Sequence, residues 1–193
     1  MKLKISDLYS LEQYDKHRDA LKKEVIEHKK NRTLSIGDNL VLIFEDFKTI
    51  KYQVQEMLRI EKIYSESEIQ EEIDAYNPLI PDGNNFKATM LIMFPDVEER
   101  KKMLLKLHDI ENNVWISFGG EKIYAYADED LDRSTDDKTS AVHFLRFQLN
   151  QDQITEFLSS QDVEVGVDHP DYCKKVKLNS YTRSNLVGDL SSN

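Results

Sequence analysis

The hydrophobic positions of this chain switch between two spacings as the sequence is read. Tyr14, Leu21, Val25 and His28 fall on one helical face flanked by His17 and Glu24, which predicts a first helix capped by Ser6 or Asp7 and ending near Arg32. Gly37-Asp38 then turns the chain into an apolar strand over 40–44. Further helices are predicted over 49–64 and 66–76, the latter with Ile69, Ile73 and Tyr76 inward. Residues 86–94 read as a strand, and Pro95-Asp96 opens a helix over 97–110. A hairpin over 114–118 and 122–127 turns at Gly119-Gly120. A long strand over 140–149, a short helix over 151–160 and a strand over 163–167 complete the pattern. The expected fold is α+β, with a mixed, largely antiparallel sheet packed with about five helices. It forms a single domain over residues 1–178, followed by a polar C-terminal tail over 179–193.

The helix over 49–64 breaks its own pattern. Ile50, Val54, Met57, Leu58 and Tyr64 form its apolar stripe, and Glu61 falls within that stripe. Glu56 lies on a second patch, between Tyr52, Ile60 and Ile63. A carboxylate on an apolar face needs a cation, a metal or a proton, because burying it unpaired is too costly.

Period-two alternation adds two imidazoles. His143 shares a strand face with Ala141, Leu145 and Phe147, and His169 shares one with Val163, Val165 and Val167. Glu56, Glu61, Glu72, His143 and His169 therefore make an oxygen and nitrogen donor set suited to a divalent metal such as iron, manganese or zinc. Ion pairing is the stronger reading of the same residues. Arg59, Arg100 and Arg146 offer fork-shaped partners, and no Glu-x-x-His pair of the di-iron kind is present.

Composition narrows the partners. With 193 residues, 39% hydrophobic and 32% charged, the chain is that of a globular protein with one ordinary core. A net charge of −10 argues against nucleic acid and anionic membranes as partners, and leaves an acidic surface for a protein partner. The single cysteine, Cys173, excludes a disulfide framework and a self-contained iron–sulfur cluster, and the cytoplasm is the expected compartment.

Other chemistry is weakly signalled. The acidic loop over 128–137 fails as a calcium loop, since Arg133 stands where glycine is needed and Thr139 where a bidentate glutamate is needed. It reads as a solvated loop. No phosphate loop, dinucleotide fingerprint or nucleophile elbow occurs. The connection over 76–85 holds two of the four prolines. With Tyr76, Asn77 and Asp82 it is either a stiff connector or the lining of a ligand cleft beside Glu72 and Asp74.

Several strings carry a resemblance. They are Tyr52-Gln53-Val54-Gln55-Glu56-Met57-Leu58-Arg59, Asp74-Ala75-Tyr76-Asn77-Pro78-Leu79-Ile80-Pro81-Asp82-Gly83, Pro95-Asp96-Val97-Glu98-Glu99-Arg100, Lys138-Thr139-Ser140-Ala141-Val142-His143-Phe144-Leu145-Arg146-Phe147 and Val167-Asp168-His169-Pro170. Over about residues 2–172 the chain resembles an uncharacterised bacterial family known only as a domain of unknown function. That resemblance implies no catalytic residue or cofactor. It does imply gene neighbours of the rubrerythrin and iron–sulfur oxidoreductase kinds, hence a binding or accessory role with a protein partner in a redox or metalloprotein system. A non-haem metal enzyme using the Glu/His set and a small-molecule binder using the 76–85 connection are the alternatives.

Overall fold

The computed structural model describes residues 2–129 and 138–190. Helix α1 (Leu11–Lys30) starts at Ser10, whose hydroxyl accepts from the Gln13 amide while the Gln13 side chain returns to the Ser10 amide. The expected caps, Ser6 and Asp7, lie instead at the short 3-10 turn Ile5–Asp7. The chain continues through β1 (Thr33–Ile36), β2 (Leu40–Glu45), α2 (Phe47–Glu61), α3 (Glu66–Tyr76) and β3 (Asn85–Ile92). It then forms α4 (Val97–Lys106), β4 (Val114–Phe118), β5 (Glu121–Tyr124), β6 (Tyr126–Ala127) and β7 (Val142–Gln148). Helix α5 (Gln151–Ser159), strands β8 (Glu164–His169) and β9 (Tyr172–Lys177), and α6 (Ser180–Asp189) follow.

The fold is α+β, with two sheets rather than the one expected. One has the order β1-β2-β3-β7-β6 and the other β5-β4-β8-β9. Every strand pair among the described residues is antiparallel. The run expected as one strand over 122–127 is interrupted at Ala125: β5 pairs with β4, and β6 pairs with β7 of the other sheet. A single apolar core lies between the sheets. Leu42, Phe44, Phe86, Met90, Leu145 and Phe147 from the first meet Val114, Ile116, Phe118, Val165 and Val167 from the second. Gly166 sits opposite Trp115, whose ring would lie 2.4 Å from a Cβ at that position, so only glycine fits beneath the indole.

A second apolar cluster joins Leu3, Ile50, Val54, Leu58, Ile73 and Ile80. It ties α2, α3 and the N-terminal segment together. The stretch from 179 onward, expected as a tail, forms α6 instead, capped by Asn179 and carrying Leu186, which is fully buried in the main core. The Arg183 guanidinium donates to the carbonyls of Phe157 and Leu158 at 2.9 and 2.8 Å. Of the acidic loop over 128–137, residues 130–137 lie outside the described residues.

Candidate functional site

The five acids and imidazoles predicted as a donor set do not converge. Glu56 meets arginine, though not one of the three expected: Arg18 donates from Nε and Nη2 at 2.8 Å each, and the Tyr14 hydroxyl donates at 2.7 Å. The Arg18 guanidinium, with help from Tyr14, holds the Glu56 carboxyl below its usual range despite burial. Burial and the same carboxylate push the Tyr14 phenol upward. Glu61 is exposed, because α2 ends there in a left-handed Lys62 and the surface beyond is bare: Ile60 is 62% and Tyr64 73% exposed. Glu72 is half-buried, and burial followed by the Glu61 charge raises its pKa. His169 is buried, with Nδ1 accepting from the Asp171 amide at 3.1 Å and Nε2 facing the His108 carbonyl at 3.0 Å. A carbonyl only accepts, so the Nε2 proton is fixed and neither nitrogen has a lone pair to offer.

His143 alone belongs to a polar centre, with partners that were not predicted. Its ring is fully buried on the inner face of β7. Nδ1 lies 2.5 Å from Asp128 Oδ2, and Nε2 lies 2.7 Å from the Thr139 hydroxyl and 3.0 Å from the Ser140 carbonyl. The Thr139 hydroxyl in turn donates to Glu111 Oε2 at 2.8 Å. Asp128 reaches inward because its backbone is left-handed, at φ 47°, and its other oxygen accepts from the Phe144 amide at 2.9 Å. Glu111, Asp128 and His143 form a group whose donor atoms lie within 4.8 Å of one another and which could hold a metal ion. The two carboxylates flank opposite nitrogens of one imidazole, however, and the Thr139 hydroxyl bridges His143 to Glu111.

The connection over 76–85 borders a cleft of about 700 Å³. It runs from Asp74 and Asn77 across Ile80 and Asp82 to Lys87 on β3 and Arg146 on β7, with Lys2 at its rim. Asn77 and Asp82 therefore line the cleft, whereas Tyr76 packs against the helical cluster. The Asn77 amide is already engaged, since it brackets the backbone of Leu3 at 2.8 and 3.1 Å. Asp82 accepts from the Asn85 amide at 2.6 Å.

Lys87 is the cleft's unusual member. It stands in register between Glu45 on β2 and Arg146 on β7, on the outer face of the first sheet. Among the described residues its ammonium has no ion-pair or hydrogen-bond partner, for a specific reason: each acid around it is engaged elsewhere. Glu45 accepts from the hydroxyls of Thr49 and Thr89 at 2.5 and 2.7 Å. Glu129 clamps Arg146 with two bonds of 2.7 and 2.6 Å. Arg146 also donates to Gln148 at 2.5 Å and lies 4.5 Å above the Tyr126 ring. Burial, then the Arg146 charge, lowers the pKa of the Lys87 ammonium.

Comparison with known proteins places the chain. Residues 2–190 match the family described as protein of unknown function (DUF3501). The chain belongs to this family. A solved structure from Burkholderia pseudomallei, described as a novel protein of unknown function, is 44% identical and superposes with a TM-score of 0.94. The alignment covers 99% of this chain and 100% of that one. No curated protein matches.

The DUF3501 match extends through α6, beyond the stretch that carried the resemblance. For this DUF3501 chain, sequence reasoning missed Lys87, Glu111, Asp128 and Thr139 as site residues. Lys87 had a readable signal, being the one charged residue in the alternating strand over 86–94. Glu111 and Asp128 had none, since each lies in a polar loop segment that composition alone assigns to solvent.

Proposed function

We propose that this protein binds a small anionic ligand, a carboxylate or phosphate, in the cleft between the 76–85 connection and the outer face of the first sheet. One observation carries the reading: a half-buried lysine that makes no ion-pair or hydrogen-bond contact among the described residues faces a cleft large enough for a metabolite-sized molecule. Partial burial without a contacting partner penalises the ammonium, and an arriving anion supplies that partner while Lys2 adds charge to the same cleft. Asp74 and Asp82 discriminate against highly charged polyanions and favour ligands with one acidic end and one hydrogen-bonding end. This is the small-molecule alternative of the sequence reading, resting on Lys87 and not on Tyr76.

The His143 centre is read as structural. A metal there would have to displace the Thr139 hydroxyl from between Nε2 and Glu111, and Asp128 faces the far nitrogen. The expected role beside a redox partner draws on none of these groups.

The test is a thermal-shift screen with phosphate, lactate, succinate and citrate, followed by calorimetric titration of any anion that stabilises. At one hundred times its Kd a ligand adds about 2.7 kcal/mol, several degrees in Tm for a domain of this size. The gain is expected in the wild type and absent in Lys87→Met of unchanged circular dichroism. A screen in which no anion raises Tm, or in which the variant responds equally, contradicts the proposal.

A further inference from the structure

Resting on the cleft reading, we propose that Lys87 is a carbonyl-reactive amine that condenses with a 2-oxo acid held in the cleft. Most lysines are protonated, solvated and chemically inert, and two circumstances make one a nucleophile: partial burial and a neighbouring cation. Lys87 has both. It is half-buried, and its register partner across β3 and β7 is Arg146, held in place by Glu129 and Gln148. No acid among the described residues is in contact with its ammonium: Glu45 accepts from two threonines, Glu129 from Arg146 and Asp82 from Asn85, and Glu129 and Asp82 act on it only through their charge. Burial and Arg146 favour the neutral amine, against the smaller opposing pull of Glu129 and Asp82.

The substrate class follows from the surroundings. Lys2 and Lys87 line the cleft together and offer a carboxylate its counter-charge, Arg146 being held by Glu129, and a 2-oxo acid carries its electrophilic carbon next to that carboxylate. In the step, the lone pair of Nζ attacks the carbonyl carbon and the π pair moves to oxygen. A proton passes from nitrogen to that oxygen, and the carbinolamine then loses water as the C=N bond forms. One water leaves, nothing is oxidised or reduced, and no co-reactant is required.

The experiment incubates the intact protein with glyoxylate, pyruvate or 2-oxoglutarate and sodium cyanoborohydride, which reduces an imine to a stable secondary amine. Adducts are mapped by peptide mass spectrometry, and lactate binding is titrated in parallel. The expected result is at least tenfold faster labelling at Lys87 than at any exposed lysine, slowed by lactate, with labelling of the remaining lysines unchanged in Lys87→Arg. Labelling spread evenly over the surface lysines overturns the inference. If lactate binds but Lys87 is not trapped by any of the three acids, the covalent step fails and the anion cleft stands. If lactate does not bind and Lys87 is not trapped, both fail.

Discussion

A carboxylate set into a helix face is stable only with a partner, and Glu56 has two, Arg18 and Tyr14, reached from α1 across the interface with α2. Its misplacement in the hydrophobic pattern was legible. Its partner was not, because the pairing depends on how two helices cross and not on any spacing within one. Removing the cation leaves a partly buried acid with Tyr14 as its remaining partner, so Arg18→Met is expected to lower the denaturant midpoint at neutral pH. The sign with pH follows from the lowered Glu56 value. The contribution is fully present above the unfolded value of 4.5 and fades as pH falls through the folded one. Urea unfolding at neutral pH and at about pH 3 should show the difference between wild type and variant shrinking on acidification. A difference that is constant with pH would mean that Arg18 acts by packing alone.

At the scale of elements, helices with an amphipathic stripe and strands with an apolar run were legible, and Glu66–Tyr76 and Val114–Phe118 match residue for residue. The elements missed are those whose burial comes from elsewhere. Strand β9 carries three lysines, leaving its edge position and the β8 partner to define it. Helix α6 has only a weak stripe and is held by Leu186 in the core and by an ion pair between Asp189 and the fully buried Arg32. Burial raises the Asp189 pKa to about 6 against the pull of Arg32, the opposite sense to Glu56. A raised folded value means that burial penalises the ionised acid by more than Arg32 offsets, so acidification from neutrality through about 6 towards 3.8 raises folding stability although it gives up the ion pair. Between about pH 7 and pH 5 the wild type should gain about 1 kcal/mol relative to Asp189→Asn. Denaturant midpoints at the two pH values measure it, and an equal response in both proteins would show that Asp189 does not titrate there.

The molecule as a whole makes a cleft that no single segment encodes. The N-terminal segment, the connection after α3, and strands β3 and β7 each supply part of its wall. The proline-bearing connection was readable as a candidate lining and Lys87 as the one charged residue of its strand, but that the two meet was not. The chemistry of Lys87 comes from its neighbours, which place three acids around it and engage each of them with another group. The same assembly explains why the predicted imidazoles lead nowhere near it: His143 faces the inter-sheet core, while Lys87, by strand alternation, lies on the other face of the same sheet. The most direct test is an NMR pH titration of the lysine side chains in protein carrying 13C at Cε, with Lys87 assigned through Lys87→Arg. The Lys87 midpoint is expected clearly below the ordinary lysine value of about 10.4, moving upward when a bound anion contacts the ammonium. A Lys87 midpoint at or above those of the surface lysines would contradict that expectation.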